Sequence, residues 1–206
     1  MGSVTSRSYP SQARLLLDYD LGVPDRLHFT DDDDANALLA QDPFALLIGF
    51  ALDQQVTTQQ AFTGPKKLRD RLGRLDAAEI AGIDPVRLET VFREKPAIHR
   101  FPGNMARRVQ ELSATIVSEY GGDAARVWTD AKDDADLRSR IASLPGFGEM
   151  KIKALGAVLA KRYGVAAAQG LVPNHPTLGD VDSAQAMQRY QDAKRAHKAR
   201  MRQQHS

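Results

Sequence analysis

Apolar residues recur along most of the chain at intervals of three and four, which is the spacing of one face of a helix. The clearest case is the stretch 104–120, where Val109, Leu112 and Ile116 form one stripe and two glycines follow as a C-terminal stop signal. No stretch has the regular alternation of apolar and polar residues that is typical of a strand. The pattern therefore predicts an all-α fold.

Several helix starts are indicated by residues that cap a helix. Asp42-Pro43 and Asp84-Pro85 each place a carboxylate before a proline, as is typical of a first turn. Thr30 is a candidate N-cap before four aspartates, whose charge suits the positive end of a helix. We prefer helix capping to calcium binding because no loop of alternating ligands follows. Helices are predicted after Thr30 and over 44 to about 55, 86–95, 104–120, 124–131, 134–143 and 183–202.

The length of the chain bounds its organisation. It has 206 residues and a mass of 22.6 kDa, which allows one domain or one compact unit of two lobes. With 42% hydrophobic and 26% charged residues, most of it should bury a core. Residues 1–26 are expected to form a poorly ordered leader, residues 27–182 a helical domain and residues 183–206 a basic C-terminal helix. We expect a monomer.

Some kinds of site are excluded or disfavoured by composition. Without cysteine the chain has no disulfide, no thiolate zinc site and no catalytic thiol. Its five histidines lack metal-ligand spacing, so we expect neither a metal nor a cofactor. No apolar run approaches the roughly 18 residues of a membrane span. We expect no membrane partner and a cytoplasmic location, with association with the nucleoid if the source is bacterial.

Charge is unevenly distributed along the chain. The formal net charge is only +2, but residues 144–206 carry ten Lys and Arg residues against four acidic ones. This asymmetry leaves two interpretations open. The C-terminal part either faces a polyanion such as nucleic acid or ends in a basic helix that serves solubility.

The segment 144–153 has the most informative motif, Leu-Pro-Gly-Phe-Gly-Glu-Met-Lys-Ile-Lys, between two predicted helices. Gly146 and Gly148 allow a tight reversal, and the second helix begins with free backbone N–H groups. Such a turn can bind a phosphate, and Lys151 and Lys153 add positive charge beside it. An ordinary turn between helices is the alternative.

This motif resembles the hairpin of the helix-hairpin-helix (HhH-GPD) DNA glycosylase superfamily, which has the form Leu-Pro-Gly-apolar-Gly. Two further segments are similar to that family in order and spacing. One is 42–58, an apolar helix that leads into a Gln-rich stretch, and the other is 101–108, which reads Phe-Pro-Gly-Asn-Met-Ala-Arg-Arg. The resemblance covers roughly residues 27–163. It implies a two-lobed helical fold with the hairpin at 144–148, and double-stranded DNA as the partner.

The resemblance also implies which residues meet DNA. Gln54 and Gln55 match the segment from which the family fills the hole left by a flipped base, although both could be exposed polar ends of a buried helix. Arg107 and Arg108 belong to a basic group that either contacts phosphate or forms a solvated face. The residues assigned to DNA binding are Gln54, Gln55, Arg107, Arg108, Gly146, Phe147, Gly148, Lys151 and Lys153.

The catalytic carboxylate is less clearly indicated. In the family it follows the second hairpin helix after a short loop, but the residues in that place, 164–170, contain no acid. The next acids are Asp180 and Asp182, and Val-Asp-Ser at 181–183 is similar to the family's Val-Asp-Thr. The resemblance implies Asp182 as the catalytic residue and Asp180 as the second choice. A simple N-cap is the alternative for Asp182, and Asp53 beside the glutamines is a third candidate.

The function implied is base excision repair, in which the protein binds duplex DNA and hydrolyses the N-glycosidic bond of a damaged base. Lyase-competent relatives carry a lysine where this chain has Met150, so we expect a monofunctional enzyme. The main alternative is a non-enzymatic helix-hairpin-helix DNA-binding protein that has lost the carboxylate. A third interpretation, a helical protein-interaction module, would leave the lysines beside the hairpin unexplained.

Overall fold

The computed structural model describes residues 22–204, with side chains as far as residue 196. Helices and loops make up this whole range, which contains no strand, so the all-α prediction is confirmed. Residues 1–21, most of the predicted leader, lie outside it. The α-helices are α1 Asp33–Gln41, α2 Pro43–Leu52, α3 Thr58–Leu72, α4 Ala77–Gly82, α5 Pro85–Arg93, α6 Pro102–Tyr120, α7 Arg126–Thr129, α8 Asp134–Ser143, α9 Glu149–Arg162 and α10 Ala184–Gln204, with 3₁₀ helices at Ala166–Leu171 and Leu178–Asp180.

The aspartate caps predicted from the sequence are present. Asp42 accepts hydrogen bonds from the backbone N–H groups of Phe44 at 2.9 Å and Ala45 at 3.1 Å. Asp84 accepts one from Arg87 at 3.0 Å. Each bond satisfies a donor that the first helical turn leaves unpaired. The helices that follow therefore begin at the positions that the Asp-Pro pairs predict.

The prediction that Thr30 caps α1 is wrong. The N-cap is Asp32, whose carboxylate accepts from the N–H of Ala35 at 2.9 Å while its own backbone is still extended. The hydroxyl of Thr30 donates instead to the main-chain oxygen of Asp32 at 3.0 Å. Thr30 could cap only a helix that begins at the next residue, because an N-cap side chain bonds the backbone N–H groups two or three residues ahead of it. α1 begins at Asp33, two residues too late for that cap.

The hydrophobic pattern does not predict α3 or α4. α3 is polar on average and contains Pro65, and its apolar face consists of few residues. The ring of Phe62 in α3 packs edge to face against Phe29 and Phe50, with centroids 5.0 and 5.1 Å apart. Packing against α1 and α2 therefore stabilises a segment whose own pattern is weak.

Helix packing divides into two lobes, as the resemblance implies. In the first lobe α2 packs on α1 and α3, and α4 and α5 pack on α6. In the second lobe α9 packs on both 3₁₀ helices, and α8 packs on α7 and α9. The hydroxyl of Tyr163, at the end of α9, lies 3.1 Å from the carbonyl oxygens of both Leu39 and Ala40. One continuous core and this bond join the lobes.

Within residues 22–204, no single helix is long and apolar enough to cross a membrane. Only α1 and α2 taken together, with a bend of 115° between them, reach the necessary length and composition.

Gly179 lies where the second 3₁₀ helix passes directly against α9. A Cβ at this position would stand 2.3 Å from the carbonyl oxygen of Ala157. We expect Gly179→Ala to lower the free energy of unfolding by about 1–3 kcal/mol, because the two backbones must separate. At Gly82 an added Cβ meets nothing within 4 Å, and Gly82→Ala should be neutral or stabilising by up to about 1 kcal/mol. Urea unfolding measures both, and equal effects would contradict the close approach.

Candidate nucleic-acid interface

The candidate interface begins at the C-terminal end of α2. Residues 44–52 are all buried, which holds this helix rigidly in the core. Asp53 ends the helix, and its backbone N–H donates to the carbonyl oxygen of Gly49 at 3.1 Å. Gln54 and Gln55 follow at once and are exposed. The two glutamines are therefore presented to solvent by a firmly packed support.

Gln55 has an unusual backbone conformation. Its φ is 56°, and among the described residues it is the only non-glycine residue with a positive φ. A left-handed conformation costs a residue with a Cβ about 1–2 kcal/mol. Such conformations persist where the surrounding structure holds them, and they concentrate at functional sites. The strain at Gln55 therefore singles out this loop as a functional candidate.

The hairpin between α8 and α9 forms the second part of the interface. Gly146 has a φ of 83°, and the N–H of Phe147 donates to the carbonyl oxygen of Leu144 at 3.1 Å, which closes a tight reversal. Gly148 is the N-cap of α9 and contributes no side-chain cap. The first N–H groups of a helix have no carbonyl partner within it, so this turn can receive an anion.

Arg108 of α6 joins the hairpin to the glutamine loop, which consists of Gln54 and Gln55 at the end of α2. Its guanidinium donates a hydrogen bond to the side-chain oxygen of Gln54. Its aliphatic part lies over Gly146, where an added Cβ would stand 2.7 Å from the Cδ of Arg108. A larger residue at Gly146 would displace this arginine. The three segments noted in the sequence thus meet on one surface.

Two adjoining grooves follow from this arrangement, one between the glutamine loop and α6, the other between α6 and the hairpin. Gln54 and Arg108 line both grooves. The first groove is also lined by Gln55, Phe101, Asn104, Met105, Arg107 and Glu111, and the second by Ala142, Leu144, Gly146, Phe147, Gly148, Glu149, Met150 and Lys151.

The remaining predicted cations differ in their surroundings. Arg107 is exposed beside the first groove. Lys153 forms an ion pair with Glu149 at 3.3 Å, and Glu149 also pairs with Arg138. The only acid in the first turn of α9 is therefore balanced by two cations, so it does not leave a net negative charge at the hairpin.

Lys151 lines the second groove, but its ammonium group is bonded to the main chain of α2. Its Nζ donates to the carbonyl oxygen of Ala51 at 3.1 Å, at the negative end of the α2 dipole, and lies 5.6 Å from the ring centroid of Phe147. The pKa of Lys151 is lowered to about 8, mainly by burial and also by the charge of Arg108, while the charge of Asp53 opposes both effects. The lysine predicted to contact phosphate thus connects the hairpin helix to α2.

Two hairpin side chains have opposite environments. Phe147 is buried in the core although it lines the second groove, so its ring offers little surface to DNA and its DNA contact stays a prediction. An apolar anchor at this position holds the exposed turn against the second lobe. Met150, at the position of the lysine in lyase-competent relatives, is 76% exposed.

Two residues of this region were not predicted from the sequence, one at the surface and one beneath it. Phe101 is partly exposed beside the glutamines, and the guanidinium of Arg100 lies 4.7 Å from its ring centroid. His99 is buried behind it, with Nε2 at 3.1 Å from the carbonyl oxygen of Gln54. An aromatic residue between an arginine and a helix-initiating proline was the available signal for Phe101. No local pattern indicates the contact of His99.

Asp180 is engaged in structural contacts. Its carboxylate accepts from the Nζ of Lys161 at 2.6 Å and from the N–H of Thr177 at 2.8 Å, in a capping box. Burial raises the pKa of Asp180, but these bonds outweigh that effect, so the pKa lies below the ordinary value. Lys161 is near the end of α9 opposite the hairpin, roughly 18 Å along the helix axis from Glu149.

Asp182 and Asp53 have different environments. Asp182 is exposed and accepts from the hydroxyl of Ser183 at 3.1 Å. The hydroxyl oxygen of Ser183 accepts a hydrogen bond from the N–H of Ala186 at 3.2 Å. Ser183 is therefore the N-cap of α10, the role that the sequence offered as the alternative for Asp182. Asp53 is half-buried, and burial raises its pKa against the opposing charges of Lys194 and Lys151. Of the three acids, Asp53 is the one beside the glutamine loop.

Comparison with protein families identifies the relationship that this geometry suggests. Residues 48–206 match the HhH-GPD superfamily base excision DNA repair protein family. The chain belongs to this family. No curated protein and no solved structure matches the chain.

The family match extends the resemblance seen in the sequence. It begins within α2 and continues past residue 163, so it includes both Asp180 and Asp182 as well as α10. It contains the segments 101–108 and 144–153 in full and residues 48–58 of the first segment. The chain therefore carries a base excision DNA repair domain, and membership of this family implies DNA binding.

The lowered pKa of Lys151 predicts a pH dependence of stability. Between about 8 in the folded protein and the ordinary value of 10.5, the unfolded chain binds more protons than the folded protein. The contribution of Lys151 to the free energy of unfolding should therefore increase as pH rises through this window, so the folded protein becomes more stable. Urea unfolding at pH 8 and pH 10 compares wild type with Lys151→Met, which should lack that contribution. Identical pH dependence of the two proteins would show that Lys151 is not buried as described.

Proposed function

We propose that the protein is a monofunctional DNA glycosylase that binds duplex DNA as a monomer and hydrolyses the N-glycosidic bond of a damaged base. The single observation that carries this proposal is the meeting of the strained glutamine loop, the hairpin and the basic start of α6 on one surface. Family membership supports the same type of reaction.

Phosphate recognition is assigned to the hairpin and α6. The free N–H groups at the start of α9 provide donors at the positive end of a helix dipole. Exposed Arg107 and the guanidinium of Arg108 add charge on the neighbouring groove. Contacts of this kind depend on backbone geometry and charge, so they fix the register of a duplex without reading its sequence.

Base extrusion is assigned to Gln55, with Gln54 as the second choice. The side chain of Gln54 is already bonded to Arg108, which ties it to the protein surface. Gln55 projects from a backbone that is held in a left-handed conformation. An amide side chain can donate to and accept from the edges of an orphaned base, and this offsets the few kcal/mol that unstacking costs.

Hydrolysis requires that the bond between C1′ and the base nitrogen breaks while a water oxygen bonds to C1′. The departing base receives a proton, and positive charge develops on the sugar in the transition state. A carboxylate stabilises that charge and can orient the water. Met150 has no amine to attack C1′, which supports hydrolysis in preference to Schiff-base chemistry.

Asp182 remains the first choice for this carboxylate and Asp180 the second. Asp182 is exposed and has no ion pair among the described contacts, so it is available to a substrate. Asp180 would have to release Lys161 before it could act. Asp53 is the third candidate because it adjoins Gln54 and is half-buried, and burial raises its pKa.

The second candidate function is non-enzymatic DNA binding through the same surface. The observation that favours it is the ion pair and capping box of Asp180, which give this acid a structural role. The absence of an acid at 164–170 agrees with this alternative. Both candidates predict DNA binding, and only base release separates them.

We expect Asp182→Asn to keep DNA affinity and to lose base release by about 10²-fold or more, because the amide cannot stabilise the developing charge. Single-turnover assays of base release measure this on duplexes with uracil, alkylated, deaminated or oxidised bases. Asp180→Asn and Asp53→Asn are tested beside it, and Asp192→Asn, an exposed acid on α10, serves as the matched control.

Each outcome of this series has a defined meaning. If base release were lost only in Asp180→Asn or only in Asp53→Asn, that acid would be the catalytic carboxylate. Full activity of all three variants would exclude a carboxylate mechanism based on them. A wild type that binds duplex DNA and releases none of the bases would establish the non-enzymatic alternative.

The role of Gln55 gives an independent prediction. Gln55→Ala should reduce base extrusion more than overall DNA affinity, since the amide fills the duplex but does not contact phosphate. Fluorescence of 2-aminopurine placed opposite or beside a lesion reports extrusion, and anisotropy reports affinity. Gln169→Ala, an exposed glutamine in the first 3₁₀ helix, is the control. An unchanged fluorescence rise in Gln55→Ala would count against the assignment.

A further inference from the structure

His99 is a buried polar residue that the proposed function does not use. Its side chain is 1% exposed, in the segment between α5 and α6. Both ring nitrogens have main-chain partners. Nδ1 lies 3.0 Å from the backbone nitrogen of Phe101, and Nε2 lies 3.1 Å from the carbonyl oxygen of Gln54. One imidazole therefore connects two loops that are 45 residues apart in the chain.

The partners determine the protonation state of the ring. A backbone N–H can only donate, so Nδ1 must accept the bond from Phe101. The neutral ring then carries its hydrogen on Nε2 and donates it to the oxygen of Gln54. A protonated ring would direct an N–H of its own at the N–H of Phe101. The observed geometry is compatible only with the neutral ring.

The surroundings of His99 favour that neutral form. Burial lowers the pKa of His99, and the positive charges of Arg100 on the same segment and Arg108 on α6 lower it further. Main-chain oxygens of Gln54 and Leu52 oppose this shift. No acid contributes to the shift, so within the described residues the charged groups that face the ring are both cations.

The two loops joined by His99 carry three of the exposed residues that line the first groove. One loop presents Gln54 and the strained Gln55, and the other presents the partly exposed ring of Phe101. A strained backbone keeps its conformation only when its neighbours restrain it. The bond from His99 restrains the carbonyl group of Gln54, which belongs to the peptide unit that leads into Gln55.

We infer that His99 is a positioning residue that locks the Gln54–Gln55 loop and the Phe101 loop into one rigid unit for entry into the duplex, and that only its neutral form does so. This role rests on the proposed base extrusion but not on base release. It adds an acid-sensitive step that acts through the geometry of the loop, since His99 itself is buried away from the DNA.

Two conservative variants separate the bonds of the ring. In His99→Gln the amide nitrogen stands as many bonds from Cα as Nε2, so it can still donate to Gln54. In His99→Asn the amide oxygen corresponds to Nδ1, so it can accept from Phe101 but cannot reach Gln54. We expect His99→Asn to reduce the 2-aminopurine signal about fivefold or more, since it lacks one buried hydrogen bond. Its DNA affinity should change by less than about threefold, while His99→Gln should keep most of the signal.

Two further measurements distinguish a positioning role from a merely structural one. They are the pH dependence of extrusion and the protonation state of His99 in the protein without DNA. Extrusion by wild type should decrease as pH falls below 6.5 towards 5, whereas extrusion by His99→Gln should stay level over the same range. Ring ¹⁵N chemical shifts of wild type at pH 7 should show a neutral imidazole with hydrogen on Nε2.

The inference is overturned by a charged ring or hydrogen on Nδ1 at pH 7, or by a wild-type pH profile equal to that of His99→Gln. Extrusion in His99→Asn equal to that of wild type would overturn it too. So would a parallel loss of extrusion, affinity and stability in both variants, which would indicate a purely structural role. Base release is scored separately, so a wild type that extrudes but does not cleave would refute the glycosylase proposal and leave the role of His99 intact.

Discussion

Three polar contacts hold the C-terminal end of α2, and the candidate interface depends on them. Lys151 donates to Ala51, His99 donates to the main chain of Gln54, and Arg108 donates to the side chain of Gln54. They come from the hairpin helix, from the segment before α6 and from α6 itself. A helix end has carbonyl groups without partners in the helix, and here side chains from other elements satisfy two carbonyls in this region.

This arrangement explains why a strained residue can be exposed beside a rigid core. The burial of α2 fixes its position, and the bonds to Gln54 fix the chain one residue before Gln55. The cost of a positive φ at Gln55 is about the size of one or two net hydrogen bonds. The same contacts make the surface sensitive to protonation, because the partly buried Lys151 and the buried His99 both change their bonding when they titrate.

The distribution of acids shows where the family resemblance is incomplete. Asp180 stabilises the second 3₁₀ helix through Lys161 and Thr177. Asp182 is exposed, and Ser183 caps α10. Asp53 lies beside the glutamine loop and is half-buried. Local sequence alone favoured Asp182, yet accessibility, ion pairing and burial are tertiary properties that differ among the three.

The sequence by itself determined the helical class, most helix boundaries and the hairpin. These depend on local causes: the apolar stripe of α6, the Asp-Pro caps of α2 and α5, and the glycines that permit the reversal. Helix α3 required the structure, because its few apolar residues are stabilised by rings from other elements. The direction of Lys151, the burial of Phe147 and the bond between His99 and Gln54 were likewise decided by tertiary structure. Each joins residues distant in the chain, and no periodicity or short motif encodes which distant group a side chain meets.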